Sequence, residues 1–143
     1  MHLIRIQFSL DWKGIHGLPH RSRVRVNGLL LAEATGARRD VVELLALLYD
    51  SRRLNDWRDP LHGKRAAAFA QRLAGSVFEI DPHGQDLLLA ACRGQSDGLT
   101  VGDVTILTCW DADRLDLGRI GTRPDPALLC TDAAREPAML EGA

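Results

Sequence analysis

Side chains that bind divalent cations occur at three separate places along this chain, each within or beside a segment of helical character. His20, Asp50 and Asp113 together offer one imidazole and two carboxylates to a hard or borderline cation. Tyr49 precedes Asp50, where a second imidazole would complete the set. Because a phenol has a reference pKa of about 10, it is a poor metal ligand at neutral pH. The pattern therefore predicts a metal site that lacks one ligand.

The composition indicates that these residues belong to one helical domain. A chain of 143 residues with 45% hydrophobic content can build a single core. Aromatic residues and alternating β-branched runs are few, whereas Ala, Leu and Arg recur in windows that suit helices. We predict an all-α domain of about five to six helices. It would span residues 1–143, with an irregular N-terminal segment at 1–18 and a C-terminal extension at 119–143.

Capping residues, prolines and glycines predict where the helices begin and end. The five predicted helices run from near Pro19 to Gly36, from Asp40 towards Asp50, over residues 62–73, from Pro82 through Cys92, and from near Asp103 to Leu115. His20 then lies in the first turn of the first helix, and Asp113 belongs to the fifth. In the first turn of the second helix, the Asp40 carboxylate is expected to accept a backbone N–H.

Polar residues and glycines mark the segments between and after these helices. Residues 55–60, Asn-Asp-Trp-Arg-Asp-Pro, predict a connection that delivers His62 to the third helix. Gly94, Gly98 and Gly102 predict a loop or hinge after the fourth helix. Residues 121–126 exclude a regular helix, and the last residues, as far as Ala143, are expected to fray.

The order of these residues resembles the HD superfamily of metal-dependent phosphohydrolases. Residues 20–24, His-Arg-Ser-Arg-Val, are similar to its opening His-x-x-Arg-Val. Residues 46–50, Ala-Leu-Leu-Tyr-Asp, are similar to the apolar lead into its His-Asp pair. Residues 112–115, Ala-Asp-Arg-Leu, look like its closing Ala-Asp-x-Leu. Residues 62–67 look like its His-Gly segment, which reaches a substrate phosphate or a second metal. Local similarity at 16–20, 51–53 and 109–116 indicates a small bacterial branch of that superfamily.

The resemblance implies phosphoester hydrolysis at the predicted metal site. A Mg²⁺, Mn²⁺ or Fe²⁺ ion on His20, Asp50 and Asp113 would polarise a phosphoryl oxygen and lower the pKa of a bound water. Asp50 would orient that water, which makes Asp50 and His62 the candidate catalytic residues.

Cationic residues close in sequence to this pair are the candidates for phosphate contacts. They are Arg52, Arg53 and Lys64, together with His62 itself. The expected ligand is a small phosphorylated molecule or a nucleotide, and the sequence specifies neither the substrate nor the oligomeric state.

Two positions depart from the family pattern. Tyr49 replaces the histidine of the His-Asp pair, and residues 93–95, Arg-Gly-Gln, stand where relatives in this branch tend to carry further histidines. Fewer imidazoles predict lower metal affinity, so a divalent ion would be weakly bound or absent. The Tyr49 hydroxyl either replaces the metal by bonding His20, Asp50 or Asp113, or donates to a substrate or a metal-bound water.

Two functions therefore stay open at this point. One is a metal-dependent phosphohydrolase-like protein with a degenerate site, and the other is a catalytically inactive HD-fold binding or regulatory module. The formal charge of -1 disfavours nucleic acid as a partner. No apolar run approaches the roughly 20 residues of a membrane helix, and a secretion signal is not evident. A cytoplasmic protein without a membrane partner is expected. Cys92, Cys109 and Cys130 are predicted to be buried free thiols.

Overall fold

A computed structural model describes Ile4, residues 8–95 and residues 97–142, apart from the side chain of Arg119. Within these ranges the chain is helical and forms no strand, with one isolated bridge between Ala74 and Phe78. The prediction of an all-α fold is confirmed. Residues 8–17 form turns ahead of the first helix, and most of residues 1–7 lie outside the described residues. None of the described helices is both long enough and apolar enough to cross a membrane.

Within the described residues, five longer helices and two short C-terminal ones make up the fold. They are α1 (Leu18–Thr35), α2 (Arg39–Leu48), α3 (His62–Leu73), α4 (Pro82–Gly94), α5 (Val104–Arg114), α6 (Asp132–Arg135) and α7 (Pro137–Glu141). Two 3₁₀ turns, Leu117–Ile120 and Pro126–Leu128, connect α5 to α6. Leu45 on α2 and Leu88 on α4 are fully buried, because α2 packs against each of the other four long helices.

Most helix boundaries follow the predicted signals. Pro19 occupies the first turn of α1, and Gly36 ends it with a left-handed backbone, φ +77°. The Asp103 carboxylate accepts the Thr105 N–H at the start of α5. The predicted start of α2 is one residue late, since the helix begins at Arg39, but Asp40 does accept the Val41 N–H at 2.8 Å.

The prediction of a loop at Gly94 is wrong. Gly94 is the last residue of α4, and a Cβ at this position would lie 2.6 Å from Cζ2 of Trp110. The glycine therefore lets α4 approach the Trp110 ring on α5, while Gly98 and Gly102 do lie in the connection that follows.

Residues 129–134 of the C-terminal segment are held against the core, whereas the fraying of the last residues stays a prediction and Ala143 lies outside the described residues. The buried Asp111 carboxylate accepts the Cys130 N–H at 2.7 Å and the Thr131 N–H at 2.9 Å. Leu129 and Ala134 then fill the core with exposed fractions of 1% and 0%. Because these backbone donors satisfy a carboxylate that would otherwise be buried alone, the segment completes the domain.

Candidate functional site

The predicted site residues come together on one cleft, although they are far apart in sequence. His20 lies in the first turn of α1, Asp50 just after α2 and His62 at the first position of α3. Asp113 lies in the last turn of α5. Tyr49, Asp50, His62 and Asp113 line a cleft of about 260 Å³, and His20 lies buried beneath it.

Tyr49 connects two of the three predicted metal ligands. The Nε2–H of His20 donates to the Tyr49 hydroxyl oxygen, and the hydroxyl donates to Oδ1 of Asp113 at 2.5 Å. Gln95, just after α4, donates from Nε2 to Oδ2 of the same aspartate at 2.8 Å. The phenol oxygen therefore stands between an imidazole and a carboxylate, which is where a shared cation would have to bind.

Asp116 completes this network from the other side of the imidazole. The Nδ1–H of His20 donates to Oδ2 of Asp116 at 2.6 Å, and Nε of Arg23 donates to its Oδ1 at 2.7 Å. The sequence analysis missed both Asp116 and Gln95. A spacing of three residues from Asp113 places Asp116 on the same side of a helical turn, and this was the available signal.

The carboxylates around His20 favour its charged form. Burial by itself lowers the pKa of His20, but the carboxylates of Asp113, Asp116 and Asp50 outweigh burial and raise it to about 10. In this arrangement both ring nitrogens of His20 donate hydrogen bonds, Nδ1–H to Asp116 and Nε2–H to Tyr49.

One carboxylate oxygen of Asp50 forms an ion pair, and the other accepts no hydrogen bond from the described residues. Arg53 donates from Nε to Oδ1 at 2.9 Å, and Nε2 of His62 lies 3.3 Å from the same oxygen. The buried Oδ2 lies 3.3 Å from Nε2 of His20 without hydrogen-bond geometry, and no described residue donates to it. Burial raises the pKa of Asp50, but its cationic neighbours outweigh that effect and hold the pKa below its usual value.

Among the predicted phosphate-binding residues, only Arg53 and His62 line the cleft. Nδ1 of His62 bonds the backbone carbonyl of Asp59 at 2.6 Å, which fixes the orientation of the ring. Arg52 lies over the Phe69 ring, 5.3 Å from its centre, and Lys64 is exposed on α3; neither lines the cleft.

The remaining wall contains three residues that the sequence analysis did not assign to the site. Nδ1 of His16 bonds Oδ1 of Asp56 at 2.9 Å, and both side chains line the cleft. Trp57 also lines it while staying 78% exposed. Trp57 belongs to the connection whose Asn, Asp and Pro pattern predicted only a loop.

The arrangement does not fit a divalent cation as it stands. Within residues 8–95 and 97–142, no group of three His, Cys, Asp or Glu side chains is arranged to hold a metal ion. The Tyr49 hydroxyl bonds both His20 and Asp113 and so occupies the space between these two predicted ligands. Among the described side chains of the site, Asp50 keeps an oxygen, Oδ2, that accepts no hydrogen bond and is suited to a cation.

No protein-family model, curated protein or solved structure matches this chain. The resemblance to the HD superfamily therefore rests on the motif residues themselves.

Proposed function

We propose that this chain is an HD-like binding module, which holds a small phosphorylated molecule, such as a nucleotide, without hydrolysing it. The bridge that Tyr49 forms between His20 and Asp113 carries this proposal. A cation could enter only if both hydrogen bonds broke and His20 lost a proton, and each step opposes metal binding.

Two arginines, Arg53 in the cleft and Arg58 beside it, support an anionic ligand. Arg53 uses Nε and Nη1 for bonds inside the protein, and the described residues provide no acceptor for its Nη2. A second hollow of about 290 Å³ shares Arg53, Trp57 and His62 with the cleft, and Arg58 is added there. A ligand would use both hollows if its phosphate lay between Arg53 and Arg58 and its aromatic ring stacked on Trp57. Arginine binds phosphate, and stacked rings attract each other.

One observation favours the hydrolase instead. Oδ2 of Asp50 is buried without a donor among the described residues, and a cation would compensate it. The second candidate is therefore a weakly metal-dependent phosphohydrolase in which Tyr49 swings away from His20.

Binding without turnover is tested with adenosine monophosphate in buffer that contains a chelator. We expect calorimetry to detect binding, and we expect Arg58→Gln to weaken it several-fold. Lys64→Gln is the matched control, because Lys64 is an exposed cation that does not line either hollow. The absence of binding, or equal losses in the two variants, would contradict the proposal.

Metal content separates the two candidate functions. Elemental analysis of untagged protein, purified without chelator, should find little metal in the wild type and more in Tyr49→His, which restores an imidazole. Near-stoichiometric metal in the wild type, with release of phosphate from p-nitrophenyl phosphate, would favour the hydrolase and overturn the binding module.

A further inference from the structure

The wall of the cleft at Tyr49 contains oxygen atoms that lack hydrogen-bond donors. Among the side chains that the structure describes, two buried oxygens accept no hydrogen bond, Oδ2 of Asp50 and Oε1 of Gln95. Both residues line the cleft, with exposed fractions of only 1% and 6%. Buried polar atoms are ordinarily paired, because desolvation without a partner is costly. The wall of the cleft therefore carries negative charge that hydrogen bonds leave uncompensated.

Two carboxylates of the same cleft are open to solvent. The side chain of Asp56 is 37% exposed, and that of Asp113 is 20% exposed. Oδ1 of Asp56 bonds Nδ1 of His16, and no described residue donates to Oδ2 of Asp56. A ligand in the cleft therefore reaches a charged acceptor, Oδ2 of Asp56, without breaking a hydrogen bond of the protein.

The charges that line the cleft leave Asp56 as the place for a further cation. Asp50, Asp56 and Asp113 are three carboxylates of the lining, and Arg53 is the only arginine among the described residues there. Nε of Arg53 pairs with Oδ1 of Asp50 at 2.9 Å, and Nε2 of His20 lies 3.1 Å from Oδ1 of Asp113. A single positive charge on the ligand would balance the third carboxylate.

Aliphatic side chains indicate that this cation is organic. Ile15, Leu117 and Ile120 also line the cleft. A hydrated metal ion gains nothing from aliphatic contacts, whereas the carbon chain of an organic ammonium ion buries apolar surface against them. The cleft volume of about 260 Å³ is below the usual range for drug-sized ligands, so the chain has to be short.

We propose that the ligand of this cleft is an aminoalkyl phosphate, with its primary ammonium group on the Asp56 carboxylate and its phosphate between Arg53 and Arg58. This inference rests on the proposed function and names the class of ligand. A primary ammonium has three N–H donors, and its bonds to a carboxylate are charge-assisted. Asp56 and Arg58 are two residues apart in one connection, so their Cα atoms are at most about 7 Å apart. A short carbon chain can therefore join the two groups of the ligand.

The test is calorimetric titration of the full chain, in buffer with a chelator, with O-phosphoethanolamine, ethyl phosphate and phosphocholine. We expect O-phosphoethanolamine to bind about tenfold more tightly than ethyl phosphate, which lacks the ammonium group. Phosphocholine keeps the positive charge but has no N–H donor, so it should bind several-fold more weakly than O-phosphoethanolamine.

The outcomes separate this inference from the proposed function. Equal affinity of O-phosphoethanolamine for the protein and of either other phosphate would overturn the inference and leave phosphate binding in place. No binding of any of the three would also overturn it, and titration with adenosine monophosphate then tests the proposed function separately.

Asp56→Asn isolates the contribution of the charge. Asparagine has nearly the same shape, and its Oδ1 can still accept a bond from Nδ1 of His16. We expect the preference for O-phosphoethanolamine over ethyl phosphate to fall below about twofold. Asp86→Asn is the matched control, because Asp86 is an exposed carboxylate of α4 that lines neither hollow, and it should keep the preference. Equal preferences in the two variants would place the ammonium group elsewhere and reject the site.

Discussion

At the scale of single residues, the phenol of Tyr49 connects two predicted metal ligands by hydrogen bonds. His20 donates to Tyr49, and Tyr49 donates to Asp113. A buried polar network stabilises a fold when its donors and acceptors are paired, and these two bonds each pair a donor with an acceptor. The same residues that would hold a cation thus contribute to stability without one.

Removing the Tyr49 hydroxyl should destabilise the protein. Tyr49→Phe removes the hydrogen bond from Nε2–H of His20 and the hydrogen bond to Oδ1 of Asp113. Because these two groups lie 3.1 Å apart and can then pair directly, we expect a loss of about 1 kcal/mol in the free energy of unfolding. Urea denaturation followed by circular dichroism measures it. Trp57→Phe, at an exposed aromatic residue, is the control and should change stability by no more than about 0.5 kcal/mol.

The charge on His20 makes this contribution dependent on pH. Its pKa is raised from 6.5 to about 10 in the folded protein, so the folded state holds the proton more tightly than the unfolded state does. The stabilisation is complete below about pH 6.5 and is lost as the pH rises through about 10. Urea denaturation at several pH values gives the difference in free energy of unfolding between the wild type and His20→Asn. This difference should shrink as the pH rises from about 6.5 to about 10. A constant difference would show that His20 is neutral in the fold.

The sequence identified the residues that carry a motif but not their hydrogen-bond partners. His20, Asp50 and Asp113 could be found because their order follows a known pattern, and the structure does bring them together. Asp116 is 96 residues from its partner His20 in sequence. The three-residue spacing from Asp113 points to Asp116 but does not encode its bond to His20, which forms only when the turn after α5 packs against α1.

At the scale of elements, Gly63 lets α3 approach α4 closely. A Cβ on Gly63 would lie 2.2 Å from the carbonyl oxygen of Cys92, which is far inside contact distance. The contact is with backbone, so no rotamer change could relieve it. The glycine at position 63 therefore has a packing role.

Gly63→Ala should push α3 and α4 apart. We expect a loss of about 2 kcal/mol or more in the free energy of unfolding, despite the better helix propensity of alanine. Lys64→Ala, at the exposed next position of α3, is the control and should stay within about 0.5 kcal/mol of the wild type. Chemical denaturation compares the two. Similar stability of both variants would mean that the helices separate at little cost.

Local sequence signals predicted those helix boundaries at which a single residue determines the backbone conformation. Pro19, Gly36 and Asp103 act within a single turn, and their positions were sufficient. Gly94 lies where a Cβ would meet the Trp110 ring, and the short helices α6 and α7 follow a segment whose backbone N–H groups bond Asp111. These contacts are tertiary, so sequence periodicity could not show them.

At the scale of the whole molecule, the core encloses two of the three cysteines. Cys92 and Cys109 are free and fully buried, whereas Cys130 is only partly buried, so the prediction of three buried thiols is correct for two. Burial raises the pKa of Cys92 to about 12 and that of Cys109 further. At Cys130, burial and the nearby Asp111 raise the pKa to about 11.

Thiol labelling should therefore report on global unfolding. Iodoacetamide at pH 8 is expected to label Cys130 first, because it is the accessible thiol, and to spare Cys92 and Cys109 in the native protein. Peptide mass spectrometry identifies the labelled residues, and all three should react in urea. Native labelling of Cys92 or Cys109 as fast as that of Cys130 would show that the core opens locally.

The identity of residue 49 also has a consequence for the gene. Tyrosine and histidine codons differ only in their first base, so one transition mutation converts residue 49 to the imidazole that the resemblance implies. The surrounding His20, Asp50 and Asp113 are already in place. A single base change would therefore place an imidazole beside these three side chains, and random mutagenesis of the gene would sample that variant readily.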